Sequence, residues 1–271
     1  MTPAVITFLS DYGLADEFVG VCHGVIASIC PQARVIDITH GVARHDVRAG
    51  ALLLRSALRF MPCGVHLAVV DPDVGAARRA VALRTADERL FVGPDNGLLS
   101  LAAADCGGVI AAVEIATSPF RLQPVSATFH GRDIFAPVAA RLAAGAALAN
   151  AGEPCDPAEL VALSLPTAEI LEGKLRALAV AIDRFGNVQL NAGHDQLAAS
   201  GLTLGRPVEV LPGADGEAHA GRFVRTFADV SPGDLLVYED ATRALALAVS
   251  HGSAAALLGL AVDDDVSIRP L

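Results

Sequence analysis

Apolar runs alternate with stretches of helical spacing through the first half of the chain. "AVITFLS" (4–10) predicts a buried strand, and "DEFVGVCHGVIASIC" (16–30) carries its apolar residues at helical spacing. "ARVIDIT" (33–39) predicts a second strand, 46–60 a second helix and "GVHLAVV" (64–70) a third strand. Shorter strands follow in "RAVALRT" and "RLFVG", then "GGVIAAVEI" (107–115), before an Ala-rich helix over 132–146. Buried strands alternating with helices imply an α/β layer structure with a largely parallel sheet. In such sheets ligands lie beyond the carboxyl ends of the strands.

The rhythm changes near residue 150. "NAGEPCDPAELVALSLPTAEILEGK" is rich in proline, poor in strand character and reads as a connector. Short strands then recur at 174–182, 187–191, 206–211, 221–225, 234–238, 244–249 and 265–268, separated by turns such as "GADGEAHAG" and "SPGD". That spacing predicts a small β-barrel or sandwich. The expected organisation is an α/β domain over 1–155, a linker over 156–172 and a β-barrel over 173–271.

Composition narrows the partners. Of the 271 residues, 53% are hydrophobic and 18% charged, an apolar balance that leaves surface for a subunit interface. The net charge of −10, without a basic run, argues against nucleic acid, which is held by clustered Lys and Arg. Five widely spaced cysteines (Cys22, Cys30, Cys63, Cys106, Cys155) form no C-x-x-C pair. They read as small buried hydrophobes of a reducing compartment. "MTPAVITFLSDYG" has no basic leader, and residues 134–150 fall short of a membrane span. A cytoplasmic protein without membrane contact is the expectation.

Four loops at predicted strand ends share acids and cations. They are "FLSDYGLAD" with Asp11 and Asp16, "VVDPDVGAAR" with Asp71 and Arg78, "FVGPDNGLL" with Asp95 and Asn96, and "ATFHGRDIFAP" with His130, Arg132 and Asp133. Any one alone reads as a cap or a turn. Together on one sheet edge they suggest a site, because capping requires neither His nor Arg.

"TFLSDYGLADEFVGVCHGVI", "VVDPDVGAAR", "GPDNGLL", "TFHGRDIFAPVAA" and "DRFGNVQLN", in this order, resemble the S-adenosylmethionine (SAM) hydroxide adenosyltransferases, relatives of the fluorinase and chlorinase enzymes. The resemblance implies an N-terminal Rossmann-like domain, a C-terminal β-barrel and a homotrimer with sites at subunit interfaces. It implies hydrolysis of SAM to adenosine and methionine by attack of water or hydroxide at C5′, without a metal or other cofactor. Asp71, Arg78 and His130 match the family's catalytic triad. Asp11 matches the acid that receives the two ribose hydroxyls, for which a carboxylate is a natural acceptor. Asp16 matches an acid near the methionine ammonium, and His45 a ring flanking the sugar; Phe129 belongs with this substrate-facing set. Asp183 would face the amino-acid end, Phe185 would stack on adenine, Asn187 would read its edge, and Phe227 matches a second aromatic near the base. Plain core packing is the competing reading for the last two phenylalanines.

The chain departs from the family pattern at Asp73, where relatives carry Gly, and at His23, where they carry Lys. Ala241 and Arg243 stand at a serine and a glycine of the family's last turn. A halogenase would carry Tyr at Asp71, Tyr-Ser at His130–Gly131 and an inserted loop; Asp71 would also repel a halide. A metal-dependent phosphoesterase built from Asp11, His40, Asp71, Asp95 and His130 lacks recognisable ligand spacing. A non-catalytic SAM or adenosine sensor is the third alternative. Arg79 has no assigned role.

Overall fold

Strand β1 (Val5–Ser10) shows how the first unit is layered. Its Ile6 and Phe8 point to one face and Leu9 to the other, the period-two alternation of a strand buried on both sides. The computed structural model describes residues 4–213 and 216–271; residues 1–3 of the N-terminal stretch, and Ala214 and Asp215 of the turn "GADGEAHAG", lie outside the described residues. The chain divides into two compact units, Met1–Leu163 and Ser164–Leu271.

In the first unit, β2 (Arg34–Thr39), β1, β3 (Val65–Val69) and β5 (Leu90–Pro94) pair in that order and run parallel. Beyond β5 the sheet continues antiparallel through β4 (Ala80–Thr85), β6 (Val109–Glu114) and β7 (Glu153–Cys155). Helices α1 (Phe18–Ile29) and α4 (Ala136–Ala143) cover one face, packing Val19, Cys22, Ile26 and Leu142 onto Ile6, Phe8 and Leu67. On the other face, α2 (Val47–Leu58) and α3 (Ser100–Asp105) pack Leu54, Leu58 and Ala102 against Leu9, Ala68 and Phe91. Asp46 caps α2 by accepting the Ala49 amide at 2.9 Å. The chain leaves β1 for β2 on one side, and β3 lies on the other. The crevice beyond β1 and β3 is therefore the sheet's topological switch point.

Several local expectations change. The helix expected over 132–146 begins as a π-turn, Gly131–Phe135, before α4. The proline-rich connector contributes edge strand β7, where Pro154 is tolerated because one side of an edge strand needs no ladder bond. Within 156–172, the amides of Val161 and Leu163 are held by Asp95 and Ser100 of the first unit. Residues Glu169–Leu171 instead form β8, paired in the second unit with β9 (Lys174–Ile182). Of the five cysteines, Cys22 and Cys30 are buried, Cys106 and Cys155 are half-buried, and Cys63 is exposed; all five are unbridged. No helix among the described residues is long and apolar enough to cross a membrane.

The second unit is a closed seven-stranded barrel. Its order is β9, β10 (Val188–Gly193), β14 (Ala244–Val249), β13 (Leu235–Glu239), β12 (His219–Phe223), β11 (Pro207–Pro212) and β15 (Asp265–Pro270), which returns to β9. All pairs are antiparallel except β12–β13. Closure removes the exposed edges that an open sheet of this length would carry. Alternate residues such as Leu175, Ala177, Val188, Leu190, Val208 and Val210 fill the interior. Two short helices, α5 (His194–Ala199) and α6 (Ala254–Leu258), escape periodicity because each spans less than two turns.

His66, fully buried in β3, makes the first unit acid-sensitive. Its Nε2 lies 3.2 Å from Arg89 and its Nδ1 2.8 Å from the Thr7 hydroxyl, so the ring is neutral. Burial, reinforced by the Arg89 charge, pushes its pKa from 6.5 down to about 3. Because the folded value lies below the unfolded one, only the unfolded chain takes up this proton between those limits. Stability is therefore lost as pH falls from about 6.5 toward about 3. Chemical denaturation at pH 7 and pH 5 is expected to differ by about 2 kcal/mol from this group alone, at about 1.36 kcal/mol per unit. His66→Gln should flatten that dependence.

Candidate active site

Strands β1 and β3 each run on into an acid. Asp11 follows Ser10, and Asp71 follows the buried pair Val69–Val70. Because the two strands are parallel neighbours, both acids emerge on the same edge. A third parallel strand, β5, ends at Asp95 and Asn96, but these turn to structural work. Asp95 takes the Arg79 guanidinium at 2.8 Å and the Val161 amide at 2.8 Å, while the Asn96 side chain bonds the Val70 carbonyl at 2.9 Å. Arg79 thereby gains its role: it clamps Asp95 and the backbone of Glu159.

A cavity of about 440 Å³ opens at the switch point. Asp11, Asp16, His45, Asp71, Phe129 and His130 all line it, with Tyr12, Phe18, Arg44, Val74, Thr128 and Gly131. Arg78 reaches Asp71 with two parallel donors, Nε at 2.8 Å from Oδ1 and a terminal nitrogen on Oδ2. That same terminal nitrogen lies 2.9 Å from Nδ1 of His130. The Asp71 and Arg78 side chains are 6% and 8% exposed, so the pair is shielded from water and from salt.

The contact between Arg78 and His130 decides a tautomer. A guanidinium only donates, so Nδ1 accepts and the ring proton resides on Nε2. Burial lowers the His130 pKa from 6.5, and the neighbouring Arg78 charge lowers it further, against the opposing pull of Asp71 and Asp133. The ring is neutral at neutral pH and offers an N–H from Nε2.

The surrounding residues hold this arrangement. Gly75, at φ 81°, is the left-handed residue of the loop between Asp71 and Arg78, and a Cβ there would stand 2.5 Å from the Ala127 carbonyl. Asp73 is exposed and takes no positive φ, so the glycine missing at that position is not needed for the turn. A Cβ on Gly131 would collide with the Tyr12 hydroxyl at 2.0 Å. Phe129 packs edge-on with Tyr12 and Phe18, and those two meet tilted, at centroid separations of 5.2–6.0 Å, making an aromatic wall. Burial raises the Tyr12 pKa well above its ordinary value, so its hydroxyl stays protonated. Beneath the wall, burial pushes the Asp133 carboxyl up, but Arg132 and the Ser126 amide outweigh it and hold the group ionised. Asp11 accepts the His45 amide at 2.9 Å, and His45 sits at φ 66°. That uses one of roughly four hydrogen bonds a carboxylate can accept.

The remaining expected site residues belong to the barrel unit. Asp183 closes the β9–β10 turn, accepting the Phe185 and Asn187 amides at 2.8 and 3.0 Å and the Asn187 side chain at 2.7 Å. Gly186, at φ 79°, seats that turn against Ser253. Phe185 is 63% exposed beneath the Arg184 guanidinium, and Phe227 is 41% exposed. Neither is a core residue. Phe227 lies 5.2 Å from the ring of Tyr238, whose pKa burial pushes up to about 12, with Asp240 and Asp183 adding. Tyr238 thus joins Phe227 and Asp183 in one neighbourhood. Its only advance signal was an aromatic in an otherwise aliphatic strand, whereas Tyr12 stood beside Asp11 in "SDYG". Arg243, which the resemblance sets at a glycine, keeps a left-handed φ of 64°, while Asp240 accepts the Thr242 and Ala244 amides.

Comparison with known proteins gives a consistent picture. The profile of the SAM hydroxide adenosyltransferase N-terminal domain matches residues 6–152, and that of the C-terminal domain matches 178–267. The chain is 52% identical to an (R)-S-adenosyl-L-methionine hydrolase of Salinispora tropica over 97% of each sequence. A fluorinase of Actinopolyspora mzabensis is 29% identical over 93% of this chain and 92% of its own. An uncharacterised conserved protein of Thermotoga maritima superposes with a TM-score of 0.91 at 36% identity, covering 97% of this chain and 99% of that one.

Proposed function

The chain belongs to the SAM hydroxide adenosyltransferase family, and from that premise we propose that it hydrolyses S-adenosyl-L-methionine to adenosine and L-methionine. The observation that carries the reading is the continuous contact Asp71–Arg78–His130 on the wall of the switch-point cavity. The bond that forms joins a water-derived oxygen to C5′, and the bond that breaks is C5′–S. The sulfonium leaves as neutral thioether, so no acid is needed at the leaving group. One proton is released, and no cofactor enters the balance.

His130 and Arg78 present only donors to the nucleophile, because Nδ1 is committed to Arg78 and Nε2 carries the proton. Donors and a nearby positive charge favour hydroxide over water, as a bound cation does. The proton then goes to solvent rather than to a protein base. Asp71 holds the guanidinium in place, and its charge disfavours halide at the same spot. Hydrolysis therefore fits this cavity better than halogenation.

Asp11 receives the ribose hydroxyls, Asp16 the ammonium, and His45 and Phe129 flank the sugar. The exposed Phe185 and Phe227, with Asp183 and Asn187, supply the adenine and amino-acid contacts from a neighbouring subunit of a homotrimer. That reading is supported by two large aromatics left exposed on an acidic, apolar-rich chain. The five unbridged cysteines support a cytoplasmic setting.

The test is incubation of purified protein with SAM and chromatography of the products. More than one equivalent each of adenosine and methionine is expected, with chloride and fluoride giving no halogenated nucleoside. Binding without turnover would make the protein a sensor and end the proposal. Single-turnover rates should also rise by about tenfold per pH unit above pH 6.5 until the bound water is ionised. A profile flat from below pH 6.5 would instead assign the proton to His130, whose pKa lies under that value.

A further inference from the structure

We propose that His23, Asp37 and His40 form a binding site for a divalent transition-metal ion of the zinc class, outside the cavity described above. The three come from different elements: His23 from α1, Asp37 from β2 and His40 from the turn after β2. Their ligand atoms all lie within 4.8 Å of one another. Oδ1 of Asp37 stands 2.9 Å from Nε2 of His23 and 3.1 Å from Nε2 of His40.

The decisive group is His40. Its side chain is 3% exposed, yet its Nε2 has no hydrogen-bond partner among the described residues; Asp37 is near but badly aligned. A buried polar atom without a partner loses its hydration with nothing in return, so such atoms call for an explanation. Its other nitrogen, Nδ1, is 2.7 Å from the Ser10 hydroxyl, which already accepts the Tyr12 amide. Donation from Nδ1 to Ser10 leaves a lone pair on Nε2 aimed at Asp37. A ring fixed from behind in this way is the usual support of a metal-ligating histidine.

Two imidazoles and one carboxylate make a borderline donor set that suits zinc better than magnesium or calcium. Bonds of about 2.0–2.1 Å in tetrahedral geometry separate ligand atoms by roughly 3.3–3.4 Å. Opening the present contacts by a few tenths of an ångström reaches that spacing. His23 and Asp37, 35% and 42% exposed, are free to give and leave the remaining coordination positions to solvent. The Phe8 ring walls the inner side, 4.6 Å from His40 and 6.0 Å from His23. The site also braces the loop carrying Asp11 from behind: the His40 carbonyl holds the Gly13 amide at 2.7 Å, and Ser10 holds Tyr12. An ion here would tie α1 to the end of β2 beside the loop carrying Asp11.

Zinc chloride titrated into the metal-stripped full chain is expected to bind at one equivalent and raise the melting temperature. Cobalt chloride in its place should develop the visible bands of a low-coordinate nitrogen–oxygen site. His23→Gln and Asp37→Asn, at a half-buried and an exposed position, both leave the buried His40 ring in place and should each weaken binding by about tenfold or more. His251→Asn, an exposed histidine of the barrel unit, should leave binding unchanged. Absence of saturable binding, or equal affinity in the His23 and Asp37 variants, overturns the site. Neither readout depends on SAM turnover, so this proposal and the hydrolase reading stand or fall separately.

Discussion

Asp71→Asn is expected to lower kcat by about 10²- to 10³-fold with little change in KM, the loss typical of removing one preorganised electrostatic element. The amide keeps the shape of the carboxylate but turns a donor toward Arg78 and cancels the charge that holds it. With the pair only 6% and 8% exposed, the guanidinium cannot find water in place of its partner. It then swings or perturbs His130, which loses the donor that sets its tautomer. A stability loss of about 3–5 kcal/mol accompanies the broken buried pair, so thermal melts must confirm a folded variant before rates are compared. Folded Asp71→Asn enzyme with undiminished single-turnover rates would sink the triad assignment.

Asp11→Ala is the second large effect, and it falls on kcat/KM. Two hydrogen bonds from ribose to a charged acceptor are worth roughly 1.5–3 kcal/mol each. Their loss lowers kcat/KM by about 10²- to 10⁴-fold. The substitution also frees the His45 amide, which holds a left-handed conformation against this carboxylate. A substrate analogue without the 2′-hydroxyl separates the two causes: wild type should lose on that analogue most of one hydrogen bond, and Asp11→Ala almost nothing. Equal discrimination by both enzymes would move ribose recognition to another residue.

Particular residues show what could be read in advance. The barrel strands were visible because period-two burial is a local signal, as in 174–182, which matches β9. Asp71 and Arg78 were suspect together because seven residues and a Pro-Gly turn keep them close. Asp95 carried the same signature, an acid at the end of a parallel strand, yet it clamps Arg79 and Val161. Nothing in the local pattern separates a strand-end acid that faces a cavity from one that faces a neighbouring loop. Phe185 and Phe227 had a core reading and a surface reading that only their exposure separates. The cluster of His23, Asp37 and His40 was illegible, since 23, 37 and 40 meet only when α1 packs across β1 and β2.

By itself the sequence determined the two-part architecture, most of the longer elements within it and the residue types waiting at each strand end. These follow from backbone periodicity and turn chemistry, which act over a few residues. Tertiary structure decided which acid meets an arginine, which nitrogen of His130 carries its proton and where one nitrogen of His40 is buried without a hydrogen-bond partner among the described residues. Those outcomes depend on strand order and on the exclusion of water, which arise only when distant segments pack.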